Sequence, residues 1–177
     1  MKKILAFSGS YSQDSINHKL AEYAGGLMNN VDMSIINLSD YEAPFYSKEV
    51  ESENGIPSSI KALRLLFNNA DGFILSTPEY NGSIPAGLKN TLDWVSRMEG
   101  KIFQDKPVLL MATSPGARGG LSVLNHLSAV MPFWGAKLVG PFSLPKFGEN
   151  FIDGEMNSEF KNELNKMLEG LNSSVYA

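Results

Sequence analysis

No cysteine occurs among the 177 residues, and there are only two histidines, His18 and His126. The first absence excludes disulfides, iron–sulfur clusters, thiolate zinc sites and a cysteine nucleophile together. The second leaves no His-x-x-x-His pair, so no catalytic zinc or other metal is expected. Each histidine falls inside a helical pattern and reads as a helix-surface or satisfied, partly buried side chain. Positive charge is also short. Fifteen Lys and Arg stand against 19 Asp and Glu, a net charge of −4, whereas a nucleic-acid binder needs a basic patch to meet phosphates. No apolar run approaches the ~20 residues that cross a bilayer. Met1-Lys2-Lys3 does set two cations before Ile4–Phe7. That run is too short for a signal-peptide core and passes into a polar loop, so it reads as the first strand of a cytoplasmic protein.

What is present is an ordinary globular composition, 43% hydrophobic and 19% charged, in a length suited to one domain spanning residues 1–177. Apolar runs alternate with helix-period segments from end to end. Strands are expected at Lys3–Phe7, Asp32–Leu38, Gly72–Thr77, Pro107–Ala112 and Lys137–Gly140. Between and after them, helical spacing marks Ile16–Met28, Pro57–Asn69, Ile84–Arg97, Leu121–Met131 and a last helix through Phe160, Leu164, Met167 and Leu168. Ser39–Gly55 and Pro141–Asp153 read as irregular. Strand–helix alternation of this kind predicts a parallel sheet with helices on both faces, an α/β domain.

Three strands end in loops rich in Gly, Ser, Asn and Pro. The first is Ser8-Gly9-Ser10-Tyr11-Ser12-Gln13-Asp14-Ser15-Ile16-Asn17, the second Ser76-Thr77-Pro78-Glu79-Tyr80-Asn81-Gly82-Ser83-Ile84-Pro85, the third Thr113-Ser114-Pro115-Gly116-Ala117-Arg118-Gly119-Gly120. In an open parallel sheet, ligands bind outside the carboxyl ends of the strands. If the three strands are parallel neighbours, the loops converge on one edge and form a site made of backbone. The first loop lacks the Gly-x-Gly-x-x-Gly of dinucleotide folds and the Gly-Lys-Ser/Thr of P-loops. It offers instead the hydroxyls of Ser8, Ser10, Ser12 and Ser15 and the amide of Asn17. Ser15 is placed to cap the following helix, whose free N–H groups and positive dipole end suit a phosphate. A tight βα turn with a serine cap is the plain alternative for any one loop, but three such junctions weaken it.

Gly9-Ser10, then Ser15-x-Asn17 and Leu20-Ala21, resembles the phosphate loop of the NADPH-dependent FMN reductase family. Pro78-Glu79-Tyr80-Asn81-Gly82-Ser83, with Leu88-Lys89-Asn90 and Asp93-Trp94, resembles that family's second flavin loop and the helix after it. Ser114-Pro115-Gly116 with Gly119-Gly120 resembles its third loop, and the match runs in order from Lys3 to about Met131. Where many members carry arginine two residues after the Gly-Ser pair, this chain has Ser12, which removes a cation from the phosphate pocket. The resemblance implies a flavodoxin-like three-layer sandwich with a five-stranded parallel sheet of order 2-1-3-4-5. It implies that Ser10, Ser12, Ser15, Ile16 and Asn17 hold the phosphate of FMN. Pro78, Glu79, Tyr80, Asn81, Gly82 and Ser83 would line the ring, with Ser114, Pro115, Gly116, Gly119 and Gly120 closing the other side. Catalytic side chains are then not required, because the flavin carries the chemistry, in keeping with the lack of any evident acid–base pair. Arg118 either offsets charge on reduced flavin, meets a phosphate of NADPH or NADH, or is a solvated residue at a helix start.

The implied activity is hydride transfer from NAD(P)H through FMN to a small-molecule acceptor: a quinone, an azo compound, free flavin or a metal oxyanion. The alternative is a flavodoxin-type electron carrier without its own NAD(P)H turnover, and a flavin-dependent regulatory protein is a third reading. Neither nucleic acid nor membrane is an expected partner. A homodimer or homotetramer is, because Leu88, Leu92 and Val95 form the stripe that packs on the sheet. Trp94 and Met98 lie off that stripe, near Tyr80 and Ile84, and read as a partner surface; the alternative is that Trp94 covers the core of its own chain.

Overall fold

The computed structural model describes all residues from 1 to 177. Five parallel strands form the sheet: β1 (Lys2–Ser8), β2 (Val31–Asn37), β3 (Gly72–Ser76), β4 (Lys106–Thr113) and β5 (Ala136–Leu144), in the order β2-β1-β3-β4-β5. That is the expected flavodoxin-like order, and it makes β1, β3 and β4 neighbours. The helices are α1 (Ile16–Gly26), α2 (Lys48–Asn54), α3 (Ser58–Asn69), α4 (Ala86–Val95), α5 (Leu121–Val130), α6 (Phe147–Asn150) and α7 (Ser158–Tyr176). A two-stranded hairpin, β6 (Phe151–Ile152) and β7 (Glu155–Met156), stands apart from the sheet. No helix is long and apolar enough to cross a membrane.

The central strands are buried on both faces, which is why β1 and β4 read as continuous apolar runs. Alternate side chains enter different cores. Leu5 and Phe7, Phe73 and Leu75, and Val108 and Leu110 meet α3, α4 and α5 on one face. Ile4 and Ala6, Ile74, and Leu109 and Met111 meet α1 and α7 on the other. Asp71 secures the amino end of the sheet. Its carboxylate accepts the Lys3 N–H at 2.8 Å and a bond from Lys2 Nζ at 3.3 Å, and the Lys3 bond above all holds it below the usual carboxylate range.

Several boundaries differ from the sequence expectation. Within Ser39–Gly55, Leu38–Tyr41 forms a 3-10 turn and Lys48–Asn54 the short helix α2, capped where Ser47 Oγ accepts the Val50 N–H at 3.1 Å. Helix α2 buries no residue, so no apolar period announced it. Strand β5 continues past Gly140 to Leu144. Gly140 takes φ 95° and the register against β4 shifts between Leu109 and Met111, an irregularity that absorbs Pro141. The last part of Pro141–Asp153 contains α6 and β6. The expectation for Trp94 is overturned. Its side chain is 0% exposed, its ring meets Tyr46 edge-on at 5.1 Å, and its Nε1–H donates to Pro44 O at 2.7 Å. Trp94 covers the core of its own chain, and Met98 and Ile84 pack against that same core, so this helix presents no exposed tryptophan to a partner.

Candidate functional site at the strand ends

The parallel register brings Ser8 of β1 beside Ser76 of β3, and Ser76 beside Met111 of β4, so the three loops leave the sheet together. Gly9 begins the first loop, with its N–H on Ser76 O at 2.8 Å. A Cβ there would stand 2.5 Å from Thr77 Oγ1 and 2.7 Å from Leu88 Cδ2, so the first two loops meet without room for a side chain. The hydroxyls then fold the loop on itself. Ser8 Oγ accepts the Ser10 N–H and Ser10 Oγ the Ser12 N–H, both at 3.1 Å. Ser15 has extended backbone and accepts the His18 N–H at 3.2 Å, the cap its position predicted. The N–H groups of Ile16 and Asn17 open the helix and have no carbonyl of an earlier turn to meet.

Asn17 stands otherwise than its reading as a phosphate ligand suggested. Its side chain is 1% exposed; Nδ2 donates to Thr113 O at 3.0 Å, and Oδ1 accepts from Ser76 Oγ at 2.9 Å and Thr113 N at 3.0 Å. The amide therefore stitches the first turn of α1 to the ends of β3 and β4. What Asn17 offers a ligand is its backbone.

The second loop is held from outside. Tyr80 and Ser83 exchange both backbone bonds, each 3.1 Å, around Asn81 at φ 51° and Gly82 at φ 77°. Two successive left-handed residues make a type I′ turn, and Asn-Gly is the pair that tolerates it. Glu79 Oε2 accepts the N–H groups of Ser122 and Val123 at 2.9 and 3.2 Å, so its carboxylate caps α5 across the site. Ser83 Oγ lies 3.0 Å from His126 Nδ1, four residues further along α5. In the third loop, Gly119 and Gly120 take φ 55° and 79°, and a Cβ on Gly119 would lie 2.3 Å from Ser143 Oγ. Arg118 is exposed and donates from Nη2 to Ser122 Oγ at 2.9 Å.

A cleft of about 320 Å³ opens where these loops meet. Its walls are Ser10, Ser12 and Asp14 to Asn17 from the first loop, Pro78 to Tyr80 from the second, and Thr113 to Pro115 from the third. The predicted residues Ser10, Ser12, Ser15, Ile16, Asn17, Pro78, Glu79, Tyr80, Ser114 and Pro115 thus come together. Asn81, Gly82, Ser83, Gly116, Arg118, Gly119 and Gly120 lie outside these walls and shape the loops. Sequence reasoning passed over Tyr11, Asp14, Thr113 and the role of His126. Tyr11 is the most consequential. Its ring lies over Gly87, where a Cβ would be 2.7 Å away, and its hydroxyl bonds Thr91 Oγ1 at 2.7 Å. Burial raises its pKa above the ordinary phenol value, against the lowering effect of the Thr91 bond, so it stays neutral at physiological pH.

The donor set fits one phosphate and an uncharged ring system. Backbone N–H groups and neutral hydroxyls surround a helix start, and the site has the strand-reversal geometry at β1 and β3 that suits a mononucleotide. The sequence model of the family described as NADPH-dependent FMN reductase matches residues 2–149. The chain is 35% identical to a quinone reductase of Escherichia coli (strain K12) over 118 residues, 67% of this chain and 61% of that protein. It therefore spans about three fifths of that relative's length. It is 30% identical over 176 residues to an NADPH azoreductase of Bacillus sp. (strain OY1-2), covering 98% of this chain and 94% of that one. Among solved structures, the flavoenzyme NAD(P)H:(acceptor) oxidoreductase FerB from Paracoccus denitrificans superposes with a TM-score of 0.82 at 25% identity, over 99% and 98% of the two chains.

Proposed function

This chain belongs to the NADPH-dependent FMN reductase family, and we propose that it oxidises NAD(P)H and reduces a quinone or azo acceptor at the strand-end cleft, using FMN. The observation that carries this reading is the meeting of three backbone-rich loops at the β1/β3 reversal, in a cleft with a helix start at one end and Tyr80 at the other. In this reading the N–H groups of Ile16 and Asn17, with the hydroxyls of Ser10 and Ser12, hold the cofactor phosphate. The dipole of α1 takes the place of a lysine or arginine. Pro78 to Tyr80 and Thr113 to Pro115 flank the ring and exclude water from it. Glu79 keeps its charge on α5 and away from the ring. The chemistry supplied by bound FMN is two-electron transfer between a reduced nicotinamide and an oxidised acceptor. The chain adds no acid–base pair of its own.

We place the working form as a pair of chains. Support comes from large apolar side chains left in water, Tyr80 on the cleft wall at 48% and Phe45 at 79% exposure, and not from Trp94. The test of function is direct. Purified protein should carry a yellow chromophore that chromatographs as FMN, and should oxidise NADPH or NADH with a quinone and no added partner. Bound FMN without such turnover favours an electron carrier or regulator, and recovery of FAD alone, or of no flavin after reconstitution, removes the reading.

A further inference from the structure

A second cavity, about 560 Å³, adjoins the cleft on the α1 side and shares none of its wall residues. It starts at Lys19, one helical turn beyond Ser15 and Ile16, and is walled by Tyr23, Phe147 and Phe151, with Glu22 and Asp153 on the rim. One bond joins the two walls, and a second lies beside it. The Phe147 N–H donates to Ser114 O at 3.0 Å and the Lys146 N–H to Gly116 O at 2.9 Å. The far wall is firmly built. Asp153 at φ 50° and Gly154 at φ 82° close the β6–β7 hairpin. Phe151 stacks on Phe147 at 4.9 Å and meets Tyr23 edge-on at 5.1 Å. Glu155 joins Lys161 at 2.9 Å, which keeps its carboxyl below the usual range, and receives Tyr23 Oη at 3.4 Å.

We propose that this groove takes the adenosine diphosphate half of the nicotinamide substrate while its nicotinamide lies in the cleft; the proposal rests on the function proposed above. The groove offers the three kinds of group such a ligand needs. Aromatic planes stack on a base. Carboxylates on the rim accept from ribose hydroxyls or an amino group. Lys19, exposed on α1 and outside the ion pairs of the groove, meets a phosphate at the end nearest the cleft.

The test compares NADH with dihydronicotinamide riboside, which transfers the same hydride without the adenosine diphosphate. Two variants are used, Phe151→Ala, which removes a plane, and Lys19→Glu, an exposed change on α1 that leaves the hairpin intact. Each should raise KM for NADH by about fivefold or more and leave kcat/KM for the riboside and the affinity for FMN unchanged. Free 5′-ADP should compete with NADH in the parent and bind less tightly to both variants in calorimetry. Equal losses with the riboside, or NADH kinetics unchanged in both variants of a working enzyme, overturn the subsite and leave the proposed activity standing. A parent that oxidises neither dinucleotide, yet binds 5′-ADP in a way both variants weaken, removes the activity and keeps the subsite.

Discussion

The two sides of the cleft are held by opposite means. The first loop is largely self-contained, since Ser8, Ser10 and Ser15 each bond a backbone N–H two or three residues ahead. The second loop depends on a distant helix, with Glu79 reaching α5 across 43 and 44 residues and Ser83 meeting His126 across 43. A loop stapled by near neighbours keeps its shape whatever happens around it. A loop stapled to a helix moves when the helix moves, so the second loop is coupled to α5 and the first is not. Tyr11 departs from this with a hydroxyl that reaches Thr91 across 80 residues, and Asn17 is the fullest exception, because its amide spans 96 to Thr113.

The largest expected effect follows from that exception. Asn17→Ala leaves the Thr113 N–H and carbonyl and the Ser76 hydroxyl without their partner in a buried place. It should destabilise the fold by about 2–3 kcal/mol in chemical denaturation, and not merely weaken flavin binding. Full stability with reduced flavin affinity would return the amide to the ligand. Next is Glu79→Ala, which uncaps α5 and frees the second loop, at about 1–2 kcal/mol. Glu79→Gln should recover part of that, since an amide oxygen still accepts. If flavin affinity falls while stability holds in both variants, the carboxylate acts on the ligand and the contrast between the two sides fails. Ser15→Ala should cost about 1 kcal/mol of stability through the lost cap, with weaker phosphate binding and an unchanged second loop, read by His126 chemical shifts.

The smallest effect lies at the other end of β1 and serves as a control. The Lys3 bond lowers the Asp71 pKa in the folded chain, so its contribution is complete above the unfolded carboxylate value and is lost as pH falls through the folded one. The side chain is 36% exposed, and solvent screening limits the contribution to about 0.5 kcal/mol. Wild type and Asp71→Asn should differ by that amount at neutral pH and converge in acid, with flavin affinity the same at each pH. A difference that persists below the folded pKa would assign the effect to packing and not to charge.

The strands were legible because the runs Ile4–Phe7, Phe73–Leu75 and Val108–Ala112 are apolar throughout, as strands covered on both faces must be; their order, and with it the convergence of the loops, came from the family resemblance. The Ser15 cap and the Asn81-Gly82 turn were legible for a similar reason, since each rests on backbone geometry within a few residues. Trp94 was misread because a helical wheel gives direction only relative to its own axis. Whether the off-stripe face meets water or the Pro44–Tyr46 segment depends on where that segment lies. Helix α2 and the β6–β7 hairpin escaped notice because neither carries an apolar period, the one burying nothing and the other being two residues a strand.

By itself, then, the order of residues determined a doubly covered parallel sheet, three backbone-rich loops at one edge and a serine-capped helix start. All of these are set by interactions that span a few residues or by the burial of a whole run. Only the tertiary structure decided that Asn17 is a stitch, that Glu79 is a cap for a helix on the far side of the site, and that an aromatic groove adjoins the cleft. A carboxylate or an amide can serve many partners equally well, and which one it meets is fixed by the distances that folding creates across the chain.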